Sequence, residues 1–354
     1  MSGSLLVRAA AALIRGELSP AEVLVEDGVI VVVGSDLPRP DRVVDAELLA
    51  PGFVDLHVHA LDGAGTVGSP DIAGLSQALA KRGVTGFLAT TIASPLPGLV
   101  SVLGTATKAG GARCLGVHLE GPWLAPDRAG AQPPGALQLP DLHDLEALLA
   151  AGPPVLLTLA PELEGATEVI RRATEAGVVV ALGHSAASYE QAVAAVAAGA
   201  SHITHCFNAM TPLHHREPGL IGAALDLPEL TVEVIADGIH LHPAIVRLLW
   251  RAIGPERLCL VSDAVDVDLP GTGAAELADG TLAGSRIGLD AAVRNLVAWQ
   301  IPLAEALTMA SVTPARAINL SNSLEVGCSA DLVLLDHDLA VRTTVVGGEV
   351  VWQS

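Results

Sequence analysis

Two histidines stand two residues apart at the end of an apolar stretch, residues 53–59. Side chains at positions i and i+2 of a strand point to the same face, so the imidazoles of His57 and His59 would share one small space. A metal ion is the usual occupant of such a space. The pair therefore predicts a metal site. It also marks a change from hairpin-like sequence to alternating strands and helices, which predicts a domain boundary.

Further ligand-type side chains stand at the ends of other apolar stretches. The predicted strands are residues 53–58, 85–91, 114–120, 155–160, 178–183, 201–205, 231–236 and 257–263. Their nearly continuous apolar character is typical of strands buried on both faces. Eight strand–helix units predict an α/β fold, a (β/α)₈ TIM barrel, in which active sites lie at the carboxyl ends of the strands.

Six of the eight predicted strands deliver a histidine or a carboxylate to that end of the barrel, and one of them, residues 231–236, leads to Asp237 and His240. The candidate ligand set is His57, His59, Glu120, His184, His205 and Asp263. Nitrogen and oxygen donors suit Zn²⁺ first, with Fe²⁺, Mn²⁺ or Co²⁺ as alternatives. A bound ion lowers the pKa of its water to about 7, and a carboxylate such as Asp263 can then move the proton. His118 shares a face with Glu120 and is expected to orient it.

Both ends of the chain have the pattern of β-hairpins. Residues 23–33 contain two β-branched runs around Asp27-Gly28, which is a strong hairpin signal. Near the other end, residues 341–351 fold back around Gly347-Gly348. We therefore predict a small β-sandwich domain made of residues 1–50 and 325–354, and a barrel domain of residues 51–324.

Composition narrows the class of protein. The net charge of −20 argues against a nucleic-acid partner or an anionic membrane surface. Charges interrupt every apolar run before the roughly 18 residues of a membrane span, and the early run of residues 5–14 carries Arg8 without a convincing cleavage site after it. The cysteines form no C-x-x-C pair, and Cys206 fits a buried thiol better than a soft metal ligand. We expect a cytoplasmic protein.

More specific motifs occupy residues 116–123, 182–185, 202–210, 216–219, 237–240, 261–264 and 282–285. These segments resemble the amidohydrolase superfamily and, within it, the N-acetylglucosamine-6-phosphate deacetylases. The similarity covers nearly the whole chain, and its histidine–leucine–glutamate–glycine–proline run is far narrower than the H-x-H pair. The resemblance implies hydrolysis of N-acetyl-D-glucosamine 6-phosphate to D-glucosamine 6-phosphate and acetate by metal-bound hydroxide.

The resemblance also implies how the metal is held. The principal ion would be bound by Glu120, His184 and His205, with Asp263 as general base and acid. Family members that keep the H-x-H pair bind a second ion, so one or two divalent ions per subunit are expected. The only lysines are Lys81 and Lys108. Both fall in predicted helices, which leaves Glu120 rather than a carbamylated lysine as the natural bridging ligand.

For the substrate, a phosphorylated amino sugar, the resemblance implicates Asn208, the Ala209 backbone amide, Arg216 and His240. Arg216 is expected to reach the phosphate in the neighbouring subunit of a homodimer. An arginine fork and an imidazolium are suitable phosphate partners in an acidic protein.

At one position the sequence departs from the family pattern. The loop after the third strand reads Gly130-Ala131-Gln132, where members usually carry a histidine that reaches the substrate. Gln132 can donate a hydrogen bond but cannot carry a proton or a positive charge. An amidohydrolase that acts on another N-acyl sugar or a cyclic amide therefore stays open as an alternative. The second alternative is a non-catalytic sugar-phosphate-binding protein, against which Asp263 and the complete ligand set argue.

Overall fold

The computed structural model describes residues 4–40, 42–66, 70–103, 110–266, 274–276 and 280–354. Its strands are β1 (Leu5–Ile14), β2 (Glu17–Glu26), β3 (Val29–Gly34), β4 (Arg42–Pro51), β5 (Phe53–Val58), β6 (Ala60–Leu61), β7 (Ala64–Gly65), β8 (Val84–Thr90), β9 (Arg113–Glu120), β10 (Leu156–Leu159), β11 (Val179–Leu182), β12 (His202–Ile203), β13 (Thr231–Ile235), β14 (Leu258–Val261), β15 (Ala274–Glu276), β16 (Leu282–Ser285), β17 (Leu332–Leu335), β18 (Val341–Val346) and β19 (Glu349–Gln353). Its α-helices are α1 (Ile72–Ala80), α2 (Leu96–Leu103), α3 (Leu142–Ala151), α4 (Ala166–Glu175), α5 (Tyr189–Ala198), α6 (Gly219–Asp226), α7 (Pro243–Ile253), α8 (Leu289–Ala298), α9 (Leu303–Ala310) and α10 (Val312–Ala317).

Eight parallel strands form the barrel in the order β14-β13-β12-β11-β10-β9-β8-β5. The barrel closes between its last and first strands, where the backbone N–H of Asp263 donates to the carbonyl of His57 at 2.8 Å and Val58 bridges to Ala264. Every residue of β5 and β8 is buried, as expected of strands covered on both faces. The predicted TIM barrel is confirmed, and strand β5 has the predicted bounds. The strand predicted at 201–205 is shorter, because only His202–Ile203 has strand structure.

Helices cover the outside of the barrel, and their local signals work as the sequence indicates. Helix α5 begins with a capping box. The Ser188 side chain accepts a hydrogen bond from the Gln191 backbone N–H, and the Gln191 side-chain oxygen accepts one from the Ser188 backbone N–H. Lys81 is the C-terminal cap of α1, and Lys108 lies outside the described residues.

A second sheet combines both ends of the chain, in the order β19-β18-β17-β4-β1-β2-β3. The two predicted hairpin turns are present, because β2 pairs with β3 across Asp27-Gly28 and β18 pairs with β19 across Gly347-Gly348. The sheet has its own apolar cluster, in which Leu5, Ile30 and Leu332 are fully buried. A separate β unit built from both termini is thus confirmed, while the domain boundaries at residues 50 and 325 stay a prediction.

Two composition-based expectations can be compared with the structure. Within the described ranges, none of the helices has the length and apolar character needed to span a membrane. The four cysteines are free thiols. Cys206 is buried, and burial raises the pKa of its thiol to about 12, which fits the predicted packing role.

Candidate active site

Six predicted ligand side chains converge at the carboxyl ends of the barrel strands. His57 and His59 stand at the end of β5, and Glu120 is the last residue of β9. The others follow β11, β12 and β14, and are His184, His205 and Asp263. All six side chains belong to residues that are at most 8% exposed. The parallel sheet therefore brings together residues that are far apart in the sequence.

The backbone at three of these positions has an uncommon conformation. His184, His205 and Asp263 have positive φ angles of 47°, 25° and 45°. Residues other than glycine rarely adopt this left-handed conformation, which costs about 1–3 kcal/mol at each position. All three side chains line the cavity at the mouth of the barrel. At these three positions the strained backbone turns a polar side chain into the site.

Glu120, His184 and His205 form one close group. Glu120 Oε1 lies 2.9 Å from His184 Nε2 and 3.0 Å from His205 Nε2, and the two Nε2 atoms are 3.1 Å apart. His184 Nδ1 donates to the Arg128 carbonyl at 2.9 Å, so in the neutral ring Nε2 presents a lone pair to the group. Two imidazole nitrogens and one carboxylate oxygen at this spacing are a set of donors that could hold a metal ion.

His57, His59 and Asp263 form a second group beside the first. His57 Nε2 and His59 Nε2 are 3.3 Å apart and lie 3.5 and 3.4 Å from Asp263 Oδ1. His59 Nε2 is also 3.3 Å from Glu120 Oε2. Ligand atoms at the corners of a zinc tetrahedron with bonds of about 2.1 Å are about 3.4 Å apart. The spacing of this group therefore fits a second ion, with Glu120 between the two groups.

The electrostatics of the cluster favour a positive charge. Burial alone would lower the pKa of His59, but hydrogen bonds to Asp263 and Glu120 raise it to about 9. Burial alone would raise the pKa of Glu120, but the charge of His57 and the hydrogen bonds from His184 and His205 hold it well below its usual range. Protons or a divalent cation can supply this charge.

His118 does not have the predicted role. Its Nδ1 lies 3.1 Å from the Leu56 carbonyl and its Nε2 lies 2.8 Å from Thr158 Oγ1. Both ring nitrogens are therefore bonded away from Glu120, and the expectation that His118 orients this carboxylate is wrong. Burial lowers the pKa of His118 to about 3. The neutral ring packs edge-on against His57, with ring centroids 4.7 Å apart.

Glu233 is a site residue that the sequence-based reasoning missed. It lies in β13 and is fully buried, and its Oε2 is 3.0 Å from Nδ1 of His57. A signal was present in the sequence, because a carboxylate interrupts an otherwise apolar strand. A buried carboxylate needs partners that compensate its loss of hydration.

A cavity of about 510 Å³ opens beside the ligand cluster. Four of the five predicted substrate residues line it: Gln132, Asn208, Ala209 and His240. Arg216 does not line this cavity. Its side chain is exposed, and its guanidinium lies 2.8 Å from His215 Nε2. The chain therefore brings the predicted amide and imidazole groups together with the ligand cluster, but not the predicted phosphate-binding arginine.

The Gln132 amide uses both of its ends within the protein. Its oxygen accepts from the backbone N–H of Ala93 at 2.8 Å, and its nitrogen donates to Glu120 Oε2. Gln132 is buried, with 6% of its surface exposed. The residue that departs from the family pattern therefore contacts a predicted metal ligand directly.

His240 forms a closely coupled pair with Asp237. His240 Nδ1 lies 2.7 Å from Asp237 Oδ2, and neither side chain is more than 5% exposed. Burial alone would lower the pKa of His240, but the hydrogen bond and the charge of Asp237 raise it. The pair keeps an imidazolium available at the cavity wall.

A barrel with histidine and carboxylate donors at the carboxyl ends of its strands defines a TIM-barrel metal-dependent hydrolase. The chain belongs to the amidohydrolase family, whose model matches residues 48–351, and within it to the family of N-acetylglucosamine-6-phosphate deacetylases. It is 37% identical over 363 residues to the N-acetylgalactosamine-6-phosphate deacetylase of Escherichia coli O157:H7, covering 95% of this chain and 96% of the relative. It is 36% identical over 334 residues to the N-acetylglucosamine-6-phosphate deacetylase of Vibrio furnissii, covering 86% and 83%.

A solved structure gives the same assignment. It is that of an aspartate-to-alanine mutant of the N-acetyl-D-glucosamine-6-phosphate deacetylase from Mycobacterium smegmatis, in complex with N-acetyl-D-glucosamine-6-phosphate. The TM-score is 0.92 and the sequence identity is 35%, over 99% of both chains. The similarity thus extends over the barrel and the terminal sheet together.

Proposed function

We propose that this protein hydrolyses N-acetyl-D-glucosamine 6-phosphate to D-glucosamine 6-phosphate and acetate. The observation that carries the proposal is the convergence of Glu120, His184, His205 and Asp263 in one buried cluster beside a cavity of substrate size. The names and full-length similarity of the relatives support this substrate class.

The two groups of donors fit divalent cations. Glu120, His184 and His205 would hold the principal ion, and His57 and His59 would hold a second one beside it. Zn²⁺ suits this set of nitrogen and oxygen donors best. When bound, the ion supplies Lewis acidity, which polarises the amide carbonyl and makes a water molecule more acidic.

Asp263 would move the proton in this reaction. Burial alone would raise the pKa of its carboxyl, but the facing His57 and His59 rings lower it, so it is ionised at neutral pH. The carboxylate takes a proton from water as the water oxygen bonds to the acetyl carbon. It then passes the proton to the amide nitrogen as the C–N bond breaks, which releases the amine and acetate.

The substrate would be held by groups on the cavity wall. Asn208, Gln132 and the Ala209 backbone amide would orient the sugar and its acetamide, and the His240 imidazolium would attract negative charge. The protein would be a cytoplasmic homodimer. Arg216 of each subunit would bind the phosphate of the substrate that occupies the active site of the neighbouring subunit. Arg216 is exposed and is not among the residues that line the chain's own cavity, which supports this arrangement.

A second substrate is favoured by one relative. The Escherichia coli O157:H7 protein is named for N-acetylgalactosamine 6-phosphate, which differs from the first substrate only in the configuration at C4. Nothing in the proposed chemistry at the acetamide depends on C4, so the metal-loaded protein can be tested on both sugars.

An acetate-release assay separates these possibilities. The panel contains both N-acetylhexosamine 6-phosphates, unphosphorylated N-acetylglucosamine and a cyclic amide. We expect the glucosamine derivative to be hydrolysed with the highest kcat/KM. A higher value for the galactosamine derivative would assign the second substrate, and activity on the cyclic amide alone would contradict the deacetylase proposal. Binding without acetate release would support the non-catalytic alternative.

A further inference from the structure

Glu233 contacts one residue of each donor group, His205 in the first and His57 in the second, although it does not line the cavity. Its Oε2 lies 3.0 Å from Nδ1 of His57 and 3.1 Å from the backbone nitrogen of His205. Its Oε1 lies 3.1 Å from Nε2 of His202. Three N–H groups, from β5 and from the segment in and just after β12, therefore point at one buried carboxylate. The carboxylate has only acceptor sites, so each of these groups must donate to it.

The contact with His57 decides which ring nitrogen can bind a metal. Because the carboxylate only accepts, His57 carries its proton on Nδ1, and in the neutral ring Nε2 has a lone pair. That lone pair faces His59 Nε2 and Asp263 Oδ1. The proton is thus placed on the side of the ring away from the second donor group.

The contact with His205 acts on the backbone of the first donor group. His205 has a φ of 25°, and the N–H held by Glu233 belongs to this strained residue. Among the described residues the His205 Nδ1 atom has no hydrogen-bond partner. The His205 ring is therefore oriented by its backbone and by the contacts of its Nε2 atom, and Glu233 provides one of the bonds that fix the backbone.

We propose that Glu233 is a positioning residue shared by the two ion sites, which sets the His57 tautomer for one and fixes the His205 backbone for the other. The inference rests on the ion sites of the proposed function and concerns how the protein prepares them. Carboxylate partners of metal-binding histidines typically change metal affinity by about 10–100-fold when they are removed.

The Glu233→Gln variant tests this role with little change in shape. The amide keeps one acceptor oxygen, which can stay at the Oε2 position and serve both His57 and His205. The new NH₂ group then faces Nε2 of His202 and donates to it. The proton of His202 can move to Nδ1, where the Thr231 hydroxyl oxygen accepts it. This oxygen is available as an acceptor because the hydroxyl donates its own proton to the Ser201 carbonyl. The geometry survives, but His57 loses a charged partner and becomes a weaker ligand.

The measurement is a Zn²⁺ titration of the metal-free protein against a competing chelator, with metal content checked by elemental analysis. We expect Glu233→Gln to weaken binding of the second Zn²⁺ by about tenfold or more and to change the first by much less. Glu47→Gln is the matched control, because Glu47 contacts His337 at 2.9 Å on the surface. It should leave both constants unchanged. Two unchanged constants in Glu233→Gln would overturn the proposal.

A spectroscopic measurement on the unaltered protein guards against a variant that does not fold. In ¹⁵N-histidine-labelled, Zn²⁺-loaded protein, we expect His57 to be protonated at Nδ1 and ligated through Nε2. Ligation of His57 through Nδ1 would overturn the proposal. If the unaltered protein binds a single ion per subunit and still releases acetate, the proposal for Glu233 would also be overturned, while the deacetylase proposal would stay intact. If the unaltered protein binds two ions per subunit but releases no acetate, the proposed function would be contradicted instead.

Discussion

The backbone N–H of Asp263 donates to the carbonyl of His57 at 2.8 Å, across the line where the last barrel strand meets the first. The proposed proton-transfer group and the H-x-H pair are therefore held by the same backbone contact that closes the barrel. This bond involves no side-chain atom of either residue. Substitutions of the two side chains can consequently test the chemistry while the closure of the barrel is preserved.

The Asp263→Asn variant should lose most of its turnover. An amide cannot accept the proton of the attacking water, and general acid–base catalysis typically contributes about 10²–10⁴-fold to the rate. The measurement is kcat for acetate release, with bound metal determined on the same samples. Full turnover with metal bound would refute the proposed role of Asp263.

The His57→Ala/His59→Ala double variant should lose one ion per subunit. Its first donor group, Glu120 with His184 and His205, keeps all three ligand atoms. We expect elemental analysis to show two ions per subunit in the unaltered protein and one in the variant. If both proteins hold the same number of ions, the second donor group is not a metal site.

Mixing two impaired variants can show which subunit Arg216 serves. Arg216→Ala should raise KM for the phosphorylated sugar about 10- to 100-fold, which is the range expected for a hydrogen-bonded charge pair. It should change KM for an unphosphorylated sugar far less. In a mixed dimer with Asp263→Asn, one of the two sites would contain an intact Asp263 and the partner's intact Arg216. Activity at low substrate should therefore rise when the two variants are unfolded, mixed and refolded together. No gain over the separately refolded variants would place Arg216 in the site of its own subunit.

The pH dependence of KM should report the His240–Asp237 pair. The pKa of His240 is raised above its ordinary value of 6.5, so the imidazolium persists above that pH and is lost as the pH rises through the raised value. We expect KM for the phosphorylated sugar to increase only in that alkaline range, above the second phosphate pKa of about 6. Asp237→Asn should move the increase to lower pH, and His240→Asn should remove it. An increase at the same pH in all three proteins would exclude His240 as its cause.

Gln132 can act on the metal ligand, on the substrate or on both. Gln132→Ala removes the donor to Glu120 Oε2 and leaves the Ala93 N–H without its partner, so we expect weaker metal binding, by about tenfold. The measurements are the Zn²⁺ dissociation constants and KM over the sugar panel. A raised KM with unchanged metal affinity would show that Gln132 acts on the substrate alone. Gln132→His provides the comparison with the family pattern.

The barrel and its rim could be predicted because burial leaves a clear pattern in the sequence. A strand covered on both faces is a continuous apolar run, as in β11 and β14, and the parallel order then places every strand end at one rim. His57 and Asp263 could be grouped on this basis although they are distant in the sequence.

The contacts of individual side chains could not be predicted in this way. Glu233 and His57 are 176 residues apart, and no local period shows that they face each other across the barrel. The same holds for Gln132, whose amide reaches back to Glu120. The left-handed backbone of His184 also escapes a pattern-based prediction, because it is imposed by the tertiary structure rather than by the residue type.

Strand β4 lies between β1 and β17 in the terminal sheet, and pairs with β17 through contacts such as Leu332 with Pro51. During synthesis, β1 to β4 leave the ribosome before the barrel strands, whereas β17 follows only after the whole barrel has been made. One edge of β4 is therefore open throughout that interval, and an open strand edge can pair with another chain. The pairing of β17 with β4 therefore also covers a strand edge at which the incomplete chain could aggregate.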